Sequence, residues 1–373
     1  MKIRMLCVFI LLFLISGCHH HSPANDLTVQ GAQILRGGVP FQGMGLNVPG
    51  LEWSSVGDTT FLGNVESAIK ARPDYIRIPL NDACWFGLRP DQNHSSEQYR
   101  EMVDIAVDLC SRKGIYMMLD LHWSLPKNAG SETLEEATKN GRATDRRLLH
   151  EGQHCMPGDG AINFWESVAA RYANRPFVIF DLYNEPHNIT PQVWLNGGDV
   201  TDDNTNPKDL VSYHTPGMQQ LLDAVRRTGA TNLVVCGGIG WGAVQMEPIA
   251  QGFVLKDLHH NVAYDVHLYA TPSTPIGDWK KQVKGALGAY PIFFNEFGPD
   301  DNLPKDATLD VQQKEWLKQF TAWADANHIS YAGWCWHDSA KPNMLSMYGA
   351  DTDWGIFYVD NLIQHNKSKP TSP

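Results

Sequence analysis

Glu185 and Glu296 each close a short apolar run, in Phe180-Asp181-Leu182-Tyr183-Asn184-Glu185-Pro186 and in Phe293-Phe294-Asn295-Glu296-Phe297-Gly298, 111 residues apart. Two facing carboxyl groups suit the cleavage of a glycosidic bond. One must be protonated to donate to the leaving oxygen; the other must be ionised to attack the sugar carbon or to activate water. Their surroundings must hold the two pKa values apart. Further polar side chains end other apolar runs in the same way: Asn47, Arg77, His122, Asn184, and the pair His267 and Tyr269, with Trp336 as an aromatic counterpart. One such residue is usually a solvated strand end, but here six of eight runs end so.

Such a set needs a scaffold that brings distant run ends to one place. Eight β-rich runs stand at Gly43–Asn47, Tyr75–Pro79, Tyr116–Leu121, Val178–Tyr183, Leu233–Cys236, Val262–Leu268, Ile292–Asn295 and Tyr331–Trp336. Several are apolar almost throughout, as parallel strands covered on both faces are. Helical patterns lie between them at Ser95–Lys113, Ala161–Asn174, Pro216–Thr228 and Val311–Asn327. The first has Ser95 or Ser96 as its cap and Gly114 just past its end. Successive strands start about 30 or more residues apart, enough for strand–helix–strand units. The pattern predicts an α/β fold, a single-domain (β/α)8 TIM barrel, with the polar set at the strand C-terminal ends. No linker divides the chain and no internal repeat is present, so one domain is expected over residues 27–366, followed by a loose tail, 367–373. Polar segments 124–160 and 188–212 follow the third and fourth strands and should shape the mouth.

The amino-terminal end has the pattern of an address. Lys2 and Arg4 precede ten apolar residues, Leu6–Ile15, too few to span a bilayer. Ile15-Ser16-Gly17-Cys18 then resembles a bacterial lipobox. Residues 1–17 would be a lipoprotein signal peptide, Cys18 the lipid-bearing residue and 18–26 a tether. An ordinary secretory signal cleaved near Gly17 is the alternative. Both predict export; the lipid form predicts a protein held at the outer membrane or cell surface through that anchor alone. Removing residues 1–17 takes the net charge from −11 to −13. So acidic a chain is a poor partner for nucleic acid. With 43% hydrophobic and 19% charged residues, disorder, coiled coil and collagen are excluded. Five cysteines remain, and Cys84 and Cys155, in polar loop-like sequence, are the candidates for a disulfide. A monomer is expected.

With these residues in this order, the chain resembles glycoside hydrolase family 5, the cellulase family. Asn184-Glu185-Pro186 matches the family's strand-4 Asn-Glu-Pro, and Glu296-Phe297-Gly298 its strand-7 pattern. Arg77 in Ile76-Arg77-Ile78-Pro79 matches the strand-2 arginine, and His122 in Asp120-Leu121-His122-Trp123 the strand-3 histidine. His267-Leu268-Tyr269 matches the strand-6 His-x-Tyr. Trp336 matches the strand-8 tryptophan, with Trp334 as the other candidate. The resemblance runs from about Gly43 to Trp336.

The resemblance implies a retaining double displacement. Glu185 would be general acid and then general base, and Glu296 the nucleophile. Arg77 would keep Glu296 ionised. Tyr269 would donate a hydrogen bond to Glu296, and Asn184 would bind the sugar 2-hydroxyl. His122 and His267 would bind sugar hydroxyls or orient the carboxylates. Trp336 would stack under the sugar at the cleaved bond. No cofactor and no metal are expected. The expected substrate is a β-linked polysaccharide or oligosaccharide, first a cellulose-type β-1,4-glucan cut by an endoglucanase. β-Mannan is the alternative, followed by xyloglucan or a β-glucan oligosaccharide.

Trp53, Trp85, Trp123 and Trp241 fall in expected loops on the active face and could be sugar platforms or packing residues. Trp165, Trp316, Trp323 and Trp354 fall in helix patterns and should pack; Trp194 and Trp279 have no assignment. Two rivals remain. A metal-dependent barrel hydrolase could use Asp120-x-His122 and Asp265-x-His267, but no His-x-His ends the first strand and no closely spaced ligand set appears. A non-catalytic sugar-binding barrel would have little need of both glutamates and Arg77. Gly237-Gly238-Ile239-Gly240-Trp241-Gly242 lacks nucleotide-loop spacing and reads as a strand-end turn.

Overall fold

In the computed structural model the chain enters through three short antiparallel strands, β1 (Leu27–Gln30), β2 (Gln33–Arg36) and β3 (Val39–Pro40). The structure describes residues 26–54, 60–88, 95–126, 152–202, 211–241 and 246–369. The signal peptide, Cys18 and the tether through Asn25 lie outside the described residues, as do most of segment 124–160 and part of 188–212.

All eight expected runs are strands. They are β4 (Met44–Asn47), β5 (Tyr75–Asn81), β6 (Tyr116–Trp123), β7 (Val178–Asp181), and then, after a hairpin of β8 (Gly198–Asp202) and β9 (Val211–Thr215), β10 (Val234–Gly237), β11 (Val262–Ala270), β12 (Ile292–Pro299) and β13 (Ser330–Gly333). They pair in parallel in chain order, and β13 closes on β4, giving the (β/α)8 barrel. The helices Phe61–Lys70, Ser96–Ser111, Gly160–Tyr172, Met218–Arg227, Val311–Ala326 and Asp353–Ser368 lie between or after the strands. The sequence signals at their ends are used: Ser95 and Gln98 form a reciprocal capping box, and Gly114 has φ +69°.

Strand parity sorts the interior into layers. Tyr75, Tyr116, Ile179, Leu233, Ala263, Phe293 and Ala332 pack with Leu27 and Ile34, an apolar floor plugged by the entry sheet. Gly45 is required there, since a Cβ would lie 2.5 Å from the Tyr75 ring. Two residues beyond Tyr75, Ile179 and Ala263, and beyond Met118 of the same floor, the strands carry Arg77, Asp181, Asp265 and Asp120, all buried. These charges therefore sit above a buried, apolar base.

The tail expectation needs correcting. Lys367 and Ser368 complete the last helix, and Lys369 Nζ lies 2.6 Å from Asp74 Oδ1; only 370–373 lie outside the described residues. Asp74 also takes His365 Nε2 at 2.6 Å and the Met44 amide at 3.0 Å, so it clasps the final helix to the start of β4. Burial would raise its pKa, but the His365 hydrogen bond and the Lys369 charge hold it below the usual range. A depressed carboxylate stabilises above its unfolded pKa and loses that contribution as pH falls through the folded value. Asp74→Ala should therefore cost about 3 kcal/mol near neutrality, the scale of stripping one partner from a buried pair. The gap to wild type should narrow in acid. Thermal unfolding across pH checks this; equal midpoints at pH 7 would refute the clasp.

The cysteine expectation is also corrected. Cys84 and Cys155 stay as separate buried thiols, like Cys110, Cys236 and Cys335. Cys84 sits in the helix Asp82–Phe86 inside the core. Cys155 packs in the β8–β9 cluster, with Sγ 3.6 Å from the Tyr213 hydroxyl.

Candidate active site

Arg77 organises the charged layer. Its Nη1 lies 2.7 Å from Glu296 Oε1 and 3.2 Å from Asn47 Oδ1. Nη2 lies 3.0 Å from Asp120 Oδ2 and 2.8 Å from Asn184 Oδ1, and Nε lies 2.9 Å from Asp181 Oδ2. Burial works against the guanidinium charge, but Asp120, Asp181 and Glu296 outweigh it and raise the pKa. The aspartates are not all comfortable as anions. Burial pushes Asp120 up to about 7 against the pull of Arg77, and it raises Asp181 as well.

Above this layer a bulge in β12 sets the mouth. Asp265 pairs with Phe293 and His267 with Glu296, so three steps on β12 match two on β11. The extra residue breaks the in–out alternation, as bulges beside active sites do. Asn295 and Glu296 then both face inward, Asn295 Oδ1 accepting from the Tyr75 hydroxyl at 2.9 Å. Glu296 Oε2 accepts from the Tyr269 hydroxyl at 2.7 Å.

His267 bridges the two glutamates. Its Nδ1 lies 2.9 Å from Glu185 Oε1 and 3.7 Å from Glu296 Oε2, while Nε2 lies 3.0 Å from Asp265 Oδ2. A neutral imidazole has one N–H, so two close carboxyl contacts require a second proton along this chain. Burial acts against charge on His267, but Glu296, Asp265 and the hydrogen bonds to Asp265 and Glu185 raise its pKa well above the usual value. Burial would raise Glu185, but the His267 hydrogen bond and charge, then His122 and Gln153, lower it. His122 is the opposite case: burial drops it to about 3, and its ring hydrogen-bonds Asp120 at 2.6 Å and the Asn184 amide at 3.3 Å.

One oxygen of Glu185, one of Glu296 and a ring nitrogen of His267 lie within 4.8 Å of one another. Among the described residues this is the one group with metal-like spacing, but both His267 nitrogens are already engaged by carboxyl groups. The separation suits direct attack by one carboxylate on a carbon whose leaving oxygen the other protonates; a water-activating pair sits wider, at about 6.5–9.5 Å.

The structure thus brings together Asn47, Arg77, His122, Asn184, Glu185, His267, Tyr269 and Glu296. Trp336 is the exception. The last barrel strand stops at Gly333, three residues earlier than the sequence suggests, and the Trp336 amide crosses to the Asn47 carbonyl at 2.8 Å. Its indole is only 4% exposed and donates to Ser67 Oγ at 2.8 Å, packed in the outer core. Trp334 is the indole at the site, parallel to His122 with ring centres 5.5 Å apart and planes at 13°.

The other tryptophans divide as follows. Trp85 is a core residue of a short helix, its Nε1 donating to Ser167 Oγ at 3.0 Å, so the platform expectation fails there. Trp53 and Trp123 are half-buried. Trp241, 45% exposed, stacks on His187, whose Nδ1 hydrogen-bonds the Glu185 carbonyl at 2.8 Å. Trp165, Trp316 and Trp354 are buried and Trp323 packs against the core, as their helix patterns suggest; Trp194 and Trp279 are buried too. The site also holds Asp120, Asp181, Asp265 and Gln153, of which the sequence marks only Asp120 and Asp265, as members of the two acid–histidine pairs. The first and third were visible as Asp-x-His, in which period-two parity turns both side chains inward. Gln153 comes from a segment with no pattern at all.

A family model described as Cellulase (glycosyl hydrolase family 5) matches residues 38–340. Endoglucanase Z of Dickeya dadantii is 27% identical over 193 residues, 52% of this chain and 38% of that protein. Endoglucanase MaCel5A of a Microbulbifer species is 19% identical over 329 residues, 85% of this chain and 52% of that protein. The chain therefore spans about half or less of these curated relatives. Among solved structures, the β-glucanase SdGluc5_26A from Saccharophagus degradans, in complex with cellotetraose, superposes with a TM-score of 0.63 at 18% identity, covering 91% of this chain and 93% of that one.

Proposed function

Because the chain belongs to the cellulase family, glycosyl hydrolase family 5, we propose that it cleaves cellulose-type β-1,4-glucan as a retaining endoglucanase. The observation that carries this is the Glu185–Glu296 pair, within 4.8 Å and held by different partners, His267 and Arg77. Glu185 donates a proton to the leaving oxygen while Glu296 attacks the sugar carbon and forms an ester. Water then attacks the same sugar carbon, displacing the Glu296 carboxylate and giving its proton to Glu185, and after two inversions the product keeps its configuration. Asn184, placed between Arg77 and His122, presents its amide to the 2-hydroxyl. Trp334 takes the platform role expected of Trp336, since the apolar face of a pyranose fits an indole. The relatives' names and the cellotetraose complex support a glucan rather than a mannan.

The expected outcome is release of reducing sugar from carboxymethylcellulose and mixed-linkage glucan, with little from mannan. The first product seen by NMR should be the β-anomer. A preference for mannan would replace the substrate, and an α-anomer would remove the double displacement.

A further inference from the structure

Gln153 lies at the mouth on a segment whose backbone is fastened on both sides. Gly152 pairs with Ser124, just past β6, through contacts of 3.0 and 3.2 Å. The His154 carbonyl accepts from the Tyr183 hydroxyl at 2.8 Å, the Cys155 carbonyl from the His187 amide at 3.0 Å, and the Met156 carbonyl from the Tyr213 hydroxyl at 2.6 Å. The buried His154 ring is also held by Asp202 at 2.6 Å. Tyr183 and His187 flank Asn184 and Glu185 in sequence, so the segment is tied to the loop that carries the acid. Gln153 Nε2 donates to Glu185 Oε2, the oxygen that His267 does not hold.

We propose that Gln153 is a positioning residue for the acid/base Glu185: it fixes the carboxyl's orientation and favours its ionised form. This rests on the assignment of Glu185 as acid/base. An N–H donated to a carboxylate stabilises the charged state. That state is needed in the second half-reaction, when Glu185 takes the proton of the attacking water. It is unwanted in the first, so Gln153 limits how far into alkali the acid stays protonated. The other charged or titratable groups around Glu185 are His267, Asp265 and Tyr269 on β11, Glu296 on β12 and Asp301 beyond it, His122 and Asp120 on β6, Arg77 on β5, and His187 on its own loop. None of them is removed by changing Gln153.

The test is the pH dependence of kcat/KM on a soluble β-1,4-glucan. Gln153→Met keeps the side-chain length and removes the donor, so the Glu185 pKa rises and the alkaline limb moves up by about one pH unit. Gln153→Glu adds a like charge and moves it further. In both, kcat should fall about tenfold where the second half-reaction limits turnover. Glu185→Gln runs in parallel. If it loses activity while both Gln153 variants keep the wild-type alkaline limb, the positioning role is refuted and the acid/base assignment stands. A pH-independent drop in the Gln153 variants, with both limbs in place, refutes it equally. Wild-type turnover in Glu185→Gln removes the assignment itself and the proposal with it.

Discussion

Replacing Glu296 with alanine should lower kcat on a soluble β-1,4-glucan by at least about four orders of magnitude while KM changes little. The reasoning is geometric. Glu296 is only 5% exposed, and its two oxygens are each assigned: Oε1 faces Arg77 at 2.7 Å and Oε2 faces Tyr269 at 2.7 Å. Asp120 and Asp181 lie in the layer below, paired to Arg77, so neither is placed to take over from Glu296. The fold should tolerate the change, since Arg77 keeps both aspartates and one negative charge leaves a crowded cluster. The check combines steady-state kinetics with thermal unfolding. A small anion such as azide, able to enter the vacated volume, should restore turnover of an activated aryl β-glycoside and give an α-glycosyl azide. Near-normal activity in a well-folded Glu296→Ala would remove the nucleophile assignment.

The same geometry shows why part of the fold and site is legible in the sequence and part is not. The barrel strands are short, largely apolar runs, and parallel strands buried on both faces leave little else for such runs to be. The polar residues in and after those runs stand out for the same reason: a polar or charged group in a largely apolar stretch breaks the pattern. The entry strands β1–β3 are at most four residues long and punctuated by Gly31, Gly37 and Gly38, so no periodicity develops. The paired strands β8 and β9 give no strand signal in a polar stretch because their inner face holds only Val200, Val211 and Tyr213 against Cys155.

Trp336 and Gln153 fail for different reasons. Parity puts Trp334 and Trp336 on one face only if the strand continues, and it ends at Gly333. Where a strand stops is decided by pairing, here by the Asn47 carbonyl taking the Trp336 amide. Gln153 is placed by five tertiary anchors distant in sequence, Ser124, Tyr183, His187, Asp202 and Tyr213. Nothing within its own window records them.

Replacing Glu185 with alanine should have an effect that depends on the leaving group, and this dependence separates a proton donor from a merely structural carboxylate. On cellotetraose, whose leaving alcohol must be protonated, kcat/KM should drop about three orders of magnitude, within the range of general acid catalysis. On a dinitrophenyl cellobioside the leaving phenolate needs no proton, so the first half-reaction should proceed almost as in wild type. The second would still lack its base, so a burst of dinitrophenol should precede slow turnover. The geometry lets Glu185 be removed without dismantling the rest of the site. Arg77 and Tyr269 hold Glu296 without help from Glu185, and the shared neighbour His267 keeps Asp265 on its other nitrogen. Azide should then accelerate release of the intermediate, attacking the face that water uses and giving a β-glycosyl azide. Its configuration is opposite to that expected from Glu296→Ala. Equal losses on both substrates, or the same azide anomer from both variants, would mean that the two glutamates do not divide the reaction as their different partners require.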